Sequence, residues 1–175
     1  IDVLINNSGY GSYGAVEDVS IEEAKRQFEV NLFGLARITQ LVLPAMRQNK
    51  KGRIVNISSM AGKIYTPFGA WYHATKHALE GWSDCLRLEL KAFDIDVVIV
   101  QPGAIKTDWG TIAAKNLKVK SGSGPYAAFA NAAAEGMQEA YTGDRLTDVD
   151  VLGKTIAKAA TIKNPNRRYA KGFMA

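Results

Sequence analysis

Apolar residues fall in two rhythms along this chain, and the rhythms alternate. Val3 to Ile5 is a short unbroken run, which predicts a buried strand. Asn6-Asn7-Ser8-Gly9 ends it with turn-forming residues, and Gly11 to Gly14 continues as a flexible loop. Ser20-Ile21-Glu22-Glu23 has the form of a capping box, with Val19 and Ala24 placed as its hydrophobic staple. From there to about Met46, Phe28, Leu32, Leu35, Ile38, Leu41 and Val42 recur at helical spacing. Gly34 and Pro44 interrupt the pattern, and Pro44 is expected to kink or break the helix.

Arg53 to Ile57 predicts the next strand, closing on Ser58-Ser59, and a loop with Gly62, Pro67 and Gly69 follows. About Trp71 to Ala92 reads as one long helix carrying Leu79, Trp82, Leu86 and Leu90. Ile95 to Val100 is another buried strand, ending at Gln101-Pro102-Gly103. After Thr107 the pattern loosens: Lys115 to Gly124 is polar, and Tyr126 to Ala140 is an alanine-rich helix. Asp148 opens a further helix with Val149, Leu152, Ile156 and Ala159 on one face, and Arg168-Tyr169-Ala170 starts a last short strand. Strands separated by helices predict an α/β fold, a parallel sheet covered by helices on both faces. No repeat or linker divides residues 1–175, so one domain is expected.

Composition narrows the function classes only a little. Apolar content of 47% and charged content of 22% are ordinary for a globular protein. The apolar runs are strand-sized, far below the ~20 residues of a membrane-spanning helix. The net charge of +5 comes from scattered residues without interleaved aromatics, so no nucleic-acid partner is expected. The single Cys85 cannot form an internal disulfide, which fits a cytoplasmic protein. The chain enters a strand at its second step with no leader and no initiating Met, so it is expected to be part of a longer protein.

In an open α/β sheet, ligands sit beyond the carboxyl ends of the strands. Asn6 to Gly9, Ser58-Ser59 and Pro102 to Thr107 all fall at such ends. Tyr72 and Lys76, four apart on a helix, share a face. A phenol titrates near about 10, and a neighbouring ammonium stabilises its anion. Lowering it by about three units corresponds to roughly 4 kcal/mol. Tyr72 would then exchange a proton with an alcohol or ketone oxygen, and Ser59 would hold that oxygen. Taken singly, each residue also has a structural reading: turn residues at Asn6 and Asn7, strand-end hydrogen bonders at Ser58 and Ser59. Asn31, inside an apolar helical stretch, reads as a bulge-maker or a satisfied buried amide. His73 and His77 are four apart, but no acidic or Cys partner matches them. They read as partly exposed helix residues, with no metal expected.

Order and spacing together go further. Asn6-Asn7-Ser8-Gly9, Asn31, Ile54 to Ser59, Tyr72-His73-Ala74-Thr75-Lys76 and Pro102-Gly103-Ala104-Ile105-Lys106-Thr107 resemble the signature set of the short-chain dehydrogenase/reductase family. The resemblance runs from Asp2 to about Thr107 and continues more weakly to Gly172. It implies a Rossmann-like, doubly wound, three-layer sheet, here lacking its N-terminal βαβ part. It implies Tyr72 as acid-base, Lys76 on the nicotinamide ribose, Ser59 on the substrate oxygen, and Asn31 holding a water through a local helix distortion. Asn7, Ser8 and Gly9 would lie beside the adenosine half of NAD or NADP. Pro102, Gly103, Ile105 and Thr107 would cradle the nicotinamide, and residues from Asp108 to about Ala140 would form a substrate lid. Two departures stand out: Asn-Asn-Ser-Gly replaces the family's Asn-Asn-Ala-Gly, and no glycine-rich phosphate turn precedes Asn6. This polypeptide alone is therefore expected to be inactive.

The function so implied is hydride transfer between NAD(P) and a secondary alcohol, ketone or aldehyde. Ile64, Phe68, Trp71 and Trp109 favour a hydrophobic substrate, such as a steroid, retinoid, lipid or general carbonyl compound. The alternatives are a non-enzymatic cofactor-sensing member, which a broken tetrad would mark, and a nucleotide-sugar epimerase or dehydratase sharing the Tyr-x-x-x-Lys pair. The two long helices resemble those with which the family builds homodimers and homotetramers.

Overall fold

The computed structural model describes residues 1–143 and 145–175. Four parallel strands, β1 (Val3–Asn6), β2 (Gly52–Ile57), β3 (Ile95–Pro102) and β4 (Arg168–Lys171), pair in the order β1-β2-β3-β4. Leu4 pairs with Ile54, Val55 with Val98, and Val100 with Tyr169. All four strands therefore end on one side, where Asn6, Ile57 and Pro102 open into loops.

The helices are α1 (Ile21–Phe28), α2 (Gly34–Gln48), α3 (Ala70–Leu90), α4 (Trp109–Ser121), α5 (Ala127–Thr142) and α6 (Val149–Thr161). Side chains alternate across the sheet, so β2 and β3 supply two cores. Ile54 and Val97 meet Met46, Leu86 and Leu90 of α2 and α3 on one face. Val55, Ile57, Val98 and Val100 meet Ala159 of α6 on the other. The three-layer α/β expectation holds.

Four local expectations need correction. Val3 and Ile5 are 38% and 44% exposed rather than buried, because β1 is flanked only by β2 among the described residues. The long helix after Ser20 carries the distortion expected at Asn31, a π turn at Glu29–Phe33 that separates α1 from α2. Pro44 does not end α2, which runs through it to Gln48. The polar stretch from Lys115 belongs largely to α4, whose buried face is Ala113, Ala114, Leu117 and Ser121. Residues 11–15 are buried, and the Gly14 N–H donates to the Phe68 carbonyl at 2.9 Å, so that loop is packed down.

The start of α1 follows half of the capping box. Ser20 Oγ accepts from the Glu23 N–H at 3.2 Å, and Val19 and Ala24 are buried as a staple. The Glu23 carboxylate instead bonds to Ser12 and Lys120, tying α4 to the body. Ser121 continues that seam, accepting from the Ala15 N–H and donating to Asp18.

Candidate active site

The ends of β1 and β2 and the first turns of α3 enclose one buried polar wall. Tyr72 and Lys76 lie there, each 6% exposed. They are one turn apart on α3, with the Lys76 Nζ 5.9 Å from the centre of the Tyr72 ring. That ammonium donates to the Ile57 carbonyl at 2.9 Å, which anchors it to the tip of β2. An ammonium has three donors, and this is the acceptor it meets among the described residues. Gly9 lies close by: an added Cβ there would sit 3.6 Å from Nζ and 3.3 Å from Asn31 Oδ1.

Ser59 follows β2 and is half-buried, its Oγ accepting from the Ala61 N–H at 3.1 Å. That bond uses a lone pair and leaves the hydroxyl proton free to donate. Burial pushes the Tyr72 phenol up to about 12, and the Ser59 hydroxyl counters only part of the rise. The lowered phenol expected from its lysine neighbour is not what the isolated chain shows. Burial acts on Lys76 as well, lowering it to about 8 against the pull of Glu80.

Asn31 is fully buried in the π turn. Its Nδ2 donates to the Tyr10 carbonyl at 2.9 Å and to Thr75 Oγ1 at 3.1 Å, while Oδ1 accepts from the Tyr10 N–H at 3.0 Å. The π turn is the helix distortion expected at this residue, and it joins the loop after β1 to α3. Asn7, Ser8 and Gly9 are exposed beside it. Asn6 is different: its Nδ2 donates to Thr39 and Asn56, and Asn56 donates to Ser83, a buried polar chain across the sheet.

The β3 tip is placed at the same sheet edge, but its contacts run elsewhere. The Gly103 N–H donates to the Lys171 carbonyl at 2.9 Å, and an added Cβ would sit 2.1 Å from the Phe173 carbonyl oxygen. Pro102 is half-buried at the strand end. Ile105 is buried and bridged to Thr147, whereas Thr107 is exposed, with its hydroxyl close to Ile105 O and the Trp109 N–H.

A roof of aromatic rings closes the wall. Trp109 lies 5.2 Å from the Tyr72 ring centre, Tyr13 lies 6.0 Å from it, and Tyr141 lies 5.8 Å from Trp109. Gly11 admits this roof, since an added Cβ would come within 2.6 Å of Trp109. Phe68 adopts φ 62°, a strained conformation for a bulky residue, and its ring meets Phe129 at 4.9 Å. Tyr13 and Tyr141 were not singled out by sequence; an aromatic residue inside a glycine loop was the available signal for the first. Two expected neighbours are absent from this wall. Ile64 is exposed, and Trp71 lines a shallow groove with Ile21, Phe28 and Phe33. His73 is buried rather than partly exposed, its Nδ1 donating to the Ala61 carbonyl and its Nε2 accepting from the Thr66 N–H, which leaves neither nitrogen for a metal.

The short-chain dehydrogenase family profile matches residues 1–117. The chain belongs to the short-chain dehydrogenase family. It is 49% identical over 115 residues to a probable short-chain type dehydrogenase/reductase, VdlC, of Helicobacter pylori, covering 66% of this chain and 42% of that protein. It is 35% identical to the oxidoreductase BOA17 of Botryotinia fuckeliana over 172 residues, 98% of this chain and 61% of the relative. Among solved structures, a short-chain dehydrogenase from Streptomyces avermitilis superposes with a TM-score of 0.80 at 31% identity, covering 98% of this chain and 61% of that one. The chain thus spans roughly half the length of the short-chain dehydrogenases it matches. Among the described residues, no helix is long and apolar enough to cross a membrane.

Proposed function

We propose that these residues form the acid-base and substrate side of an NAD(P)-dependent oxidoreductase that interconverts a secondary alcohol and a ketone or aldehyde. The observation that carries this reading is the shared wall of Tyr72, Lys76 and Ser59, pinned by Asn31 at the strand ends. The residues present fit a nicotinamide cofactor. Lys76 has donors to spare for ribose hydroxyls, and Gly9 keeps the approach to it open. Tyr72, Lys76, Asn7, Ser8 and Gly9 would hold the cofactor from one side and Pro102, Gly103, Ile105 and Thr107 from the other. When bound, the cofactor would take or supply the hydride, and in its oxidised form it would add positive charge beside the phenol.

The chain's own residues then handle the proton. Ser59 donates to the substrate oxygen and holds it near the Tyr72 hydroxyl. In reduction Tyr72 gives its proton to that oxygen and stays a phenolate until a proton is returned to it; in oxidation the phenolate takes the proton of the alcohol. Lys76 keeps a positive charge one helical turn away, which favours the phenolate when it forms. Asn31 holds the turn that faces Lys76, where a water could pass the proton on. Closing the aromatic roof excludes bulk water and favours apolar carbonyl substrates, among them steroids, retinoids and lipid ketones.

The glycine-rich phosphate turn is not among these residues, so the proposed activity is that of the chain extended to the length of its relatives, and residues 1–175 alone are inactive. Phe33, Ile38 and Leu41 are half or more exposed along the π turn and α2, which supports assembly as a homodimer or homotetramer. The test is turnover of a carbonyl panel by the full-length protein with NADH and with NADPH, alongside Tyr72→Phe. Loss of about 100-fold or more is expected, in the range of general acid catalysis. Near-normal turnover in the variant overturns the assignment.

A further inference from the structure

One turn below Lys76, on the same face of α3, sits a carboxylate that the proposed reaction does not use. Glu80 is 4% exposed. A buried carboxylate is costly unless its oxygens are matched, and here both are. Oε1 accepts from Gln101 Nε2 at 3.0 Å, and Oε2 accepts from Arg168 Nε at 3.0 Å with Lys63 Nζ at 3.3 Å. Burial raises the Glu80 carboxyl, but the donors around it and the Lys63 charge hold it below the ordinary value. Gln101 immediately precedes Pro102 and Gly103, and Arg168 opens β4. Glu80 is therefore where α3, the β3 tip, β4 and the loop after β2 meet.

We propose that Glu80 is a positioning residue that locks the catalytic turn of α3 to the β3 tip and keeps Lys76 an ammonium. This rests on the reading of Tyr72 and Lys76 given above. The charged and titratable groups described around the pair are few. Tyr72, Glu80 and Asp84 lie on α3 itself, Lys63 comes from the loop after β2, and Arg168 comes from β4, where it also bonds to Asp84 at 2.7 Å. β2 offers Lys76 the Ile57 carbonyl, and the π turn brings no charged group beside Gly9, where its neutral Asn31 amide lies. Glu80 is thus the nearest formal countercharge along the helix. Space is short on this side: a Cβ at Gly62 would lie 2.9 Å from Glu80 Cγ and 3.1 Å from the Lys76 carbonyl, so Gly62 packs closely against both turns.

The experiment is the pH profile of kcat/KM for ketone reduction by the full-length protein, with Lys76 followed in parallel by NMR of 13C-labelled lysine. Glu80→Gln should move the alkaline limb, and the Lys76 titration with it, to lower pH by roughly one unit. Arg168→Gln should move both the other way, because the Glu80 charge is then less neutralised. Glu80→Asp, which keeps the charge, should restore the limb even where it lowers the rate. Unchanged limbs, or limbs that move the same way in Glu80→Gln and Arg168→Gln, overturn the proposal. The lysine titration does not depend on turnover, so an active Tyr72→Phe enzyme would refute the catalytic reading separately. If Glu80→Gln does not fold, Arg168→Gln and Glu80→Asp still decide the sign.

Discussion

Asn31 and Thr75, 44 positions apart, are joined by a 3.1 Å hydrogen bond from the amide of one to the hydroxyl of the other. Thr75 Oγ1 passes its own proton to the Tyr72 carbonyl at 2.8 Å, so the chain of bonds runs from the Tyr10 loop through the π turn into the turn that carries Tyr72 and Lys76. Asn31→Leu removes three bonds at a fully buried site and leaves the Tyr10 amide and carbonyl without that partner. The Tyr10 carbonyl still accepts from Gln27 Nε2 at 3.1 Å, so one N–H is stranded and a loss of about 1–3 kcal/mol is expected. Urea unfolding of both proteins checks it, and a loss under 1 kcal/mol, set against the ~1–3 kcal/mol cost of one unsatisfied buried group, refutes it.

Lys76 gives stability an unusual pH dependence. Burial lowers it from 10.5 to about 8, so between those values the unfolded chain holds a proton that the folded chain has released. Stability then rises with pH across the window, and below pH 8 the folded state bears the full penalty of a buried ammonium. Lys76→Met should therefore be more stable than the parent at pH 7, by up to about 3 kcal/mol, and the advantage should shrink as pH rises towards 10. Denaturation from pH 7 to 10 reads this directly. Above pH 10 the raised Tyr72 phenol acts in the opposite sense, which sets the upper end of the useful range. An equal difference at every pH would count against the assignment.

The parts of the fold that were legible in sequence are those written in large apolar residues. Ile54, Val55, Val97 and Val98 form unbroken runs, and the strands lie where those runs lie. Helix geometry puts Tyr72 and Lys76 on one face, and the order and spacing of the motifs around them made the pair legible as a site. α4 was obscured because its buried face is Ala113, Ala114 and Leu117, small residues that leave little apolar rhythm against Lys115, Lys118 and Lys120. The exposure of Val3 and Ile5 depends on what neighbours β1, which no property of β1 itself records. Glu80 looked like any acidic helix residue, because its partners Gln101 and Arg168 lie 21 and 88 positions away. Trp71 carried the right chemistry on the wrong face of α3, one position from Tyr72.

Arg53 fastens α6 to the sheet. Its guanidinium donates to Asp96 at 2.7 Å on the neighbouring strand and to the carbonyls of Ala159 and Ile162 at 3.2 and 2.7 Å. Those carbonyls end α6, where the helix dipole is negative, so a cation there is favourable. Arg53→Ala should cost about 1–3 kcal/mol, as for a charge-assisted hydrogen bond lost together with its helix-end contact. Hydrogen exchange should speed up in α6 more than in α2. Uniform acceleration across both helices would mean that Arg53 does not act locally.

Gly110 controls how closely the aromatic roof shuts over Tyr72. It is buried at the start of α4, and an added Cβ would lie 2.0 Å from Cγ of Tyr141. That atom belongs to the rigid ring rather than to a flexible tip, so Gly110→Ala has to displace α5 or swing Tyr141 away from Trp109. Either movement lifts the packing that keeps Tyr72 buried, because Trp109 is the ring nearest to it at 5.2 Å. Relief of burial removes the main force that raises the Tyr72 phenol, so its titration should move down from about 12 towards its ordinary value. Ultraviolet difference titration, with Tyr72→Phe in the same background to assign the signal, measures that shift. A phenol that stays where it is, with α4 and α5 exchanging hydrogen no faster than before, would show that the roof does not depend on this glycine.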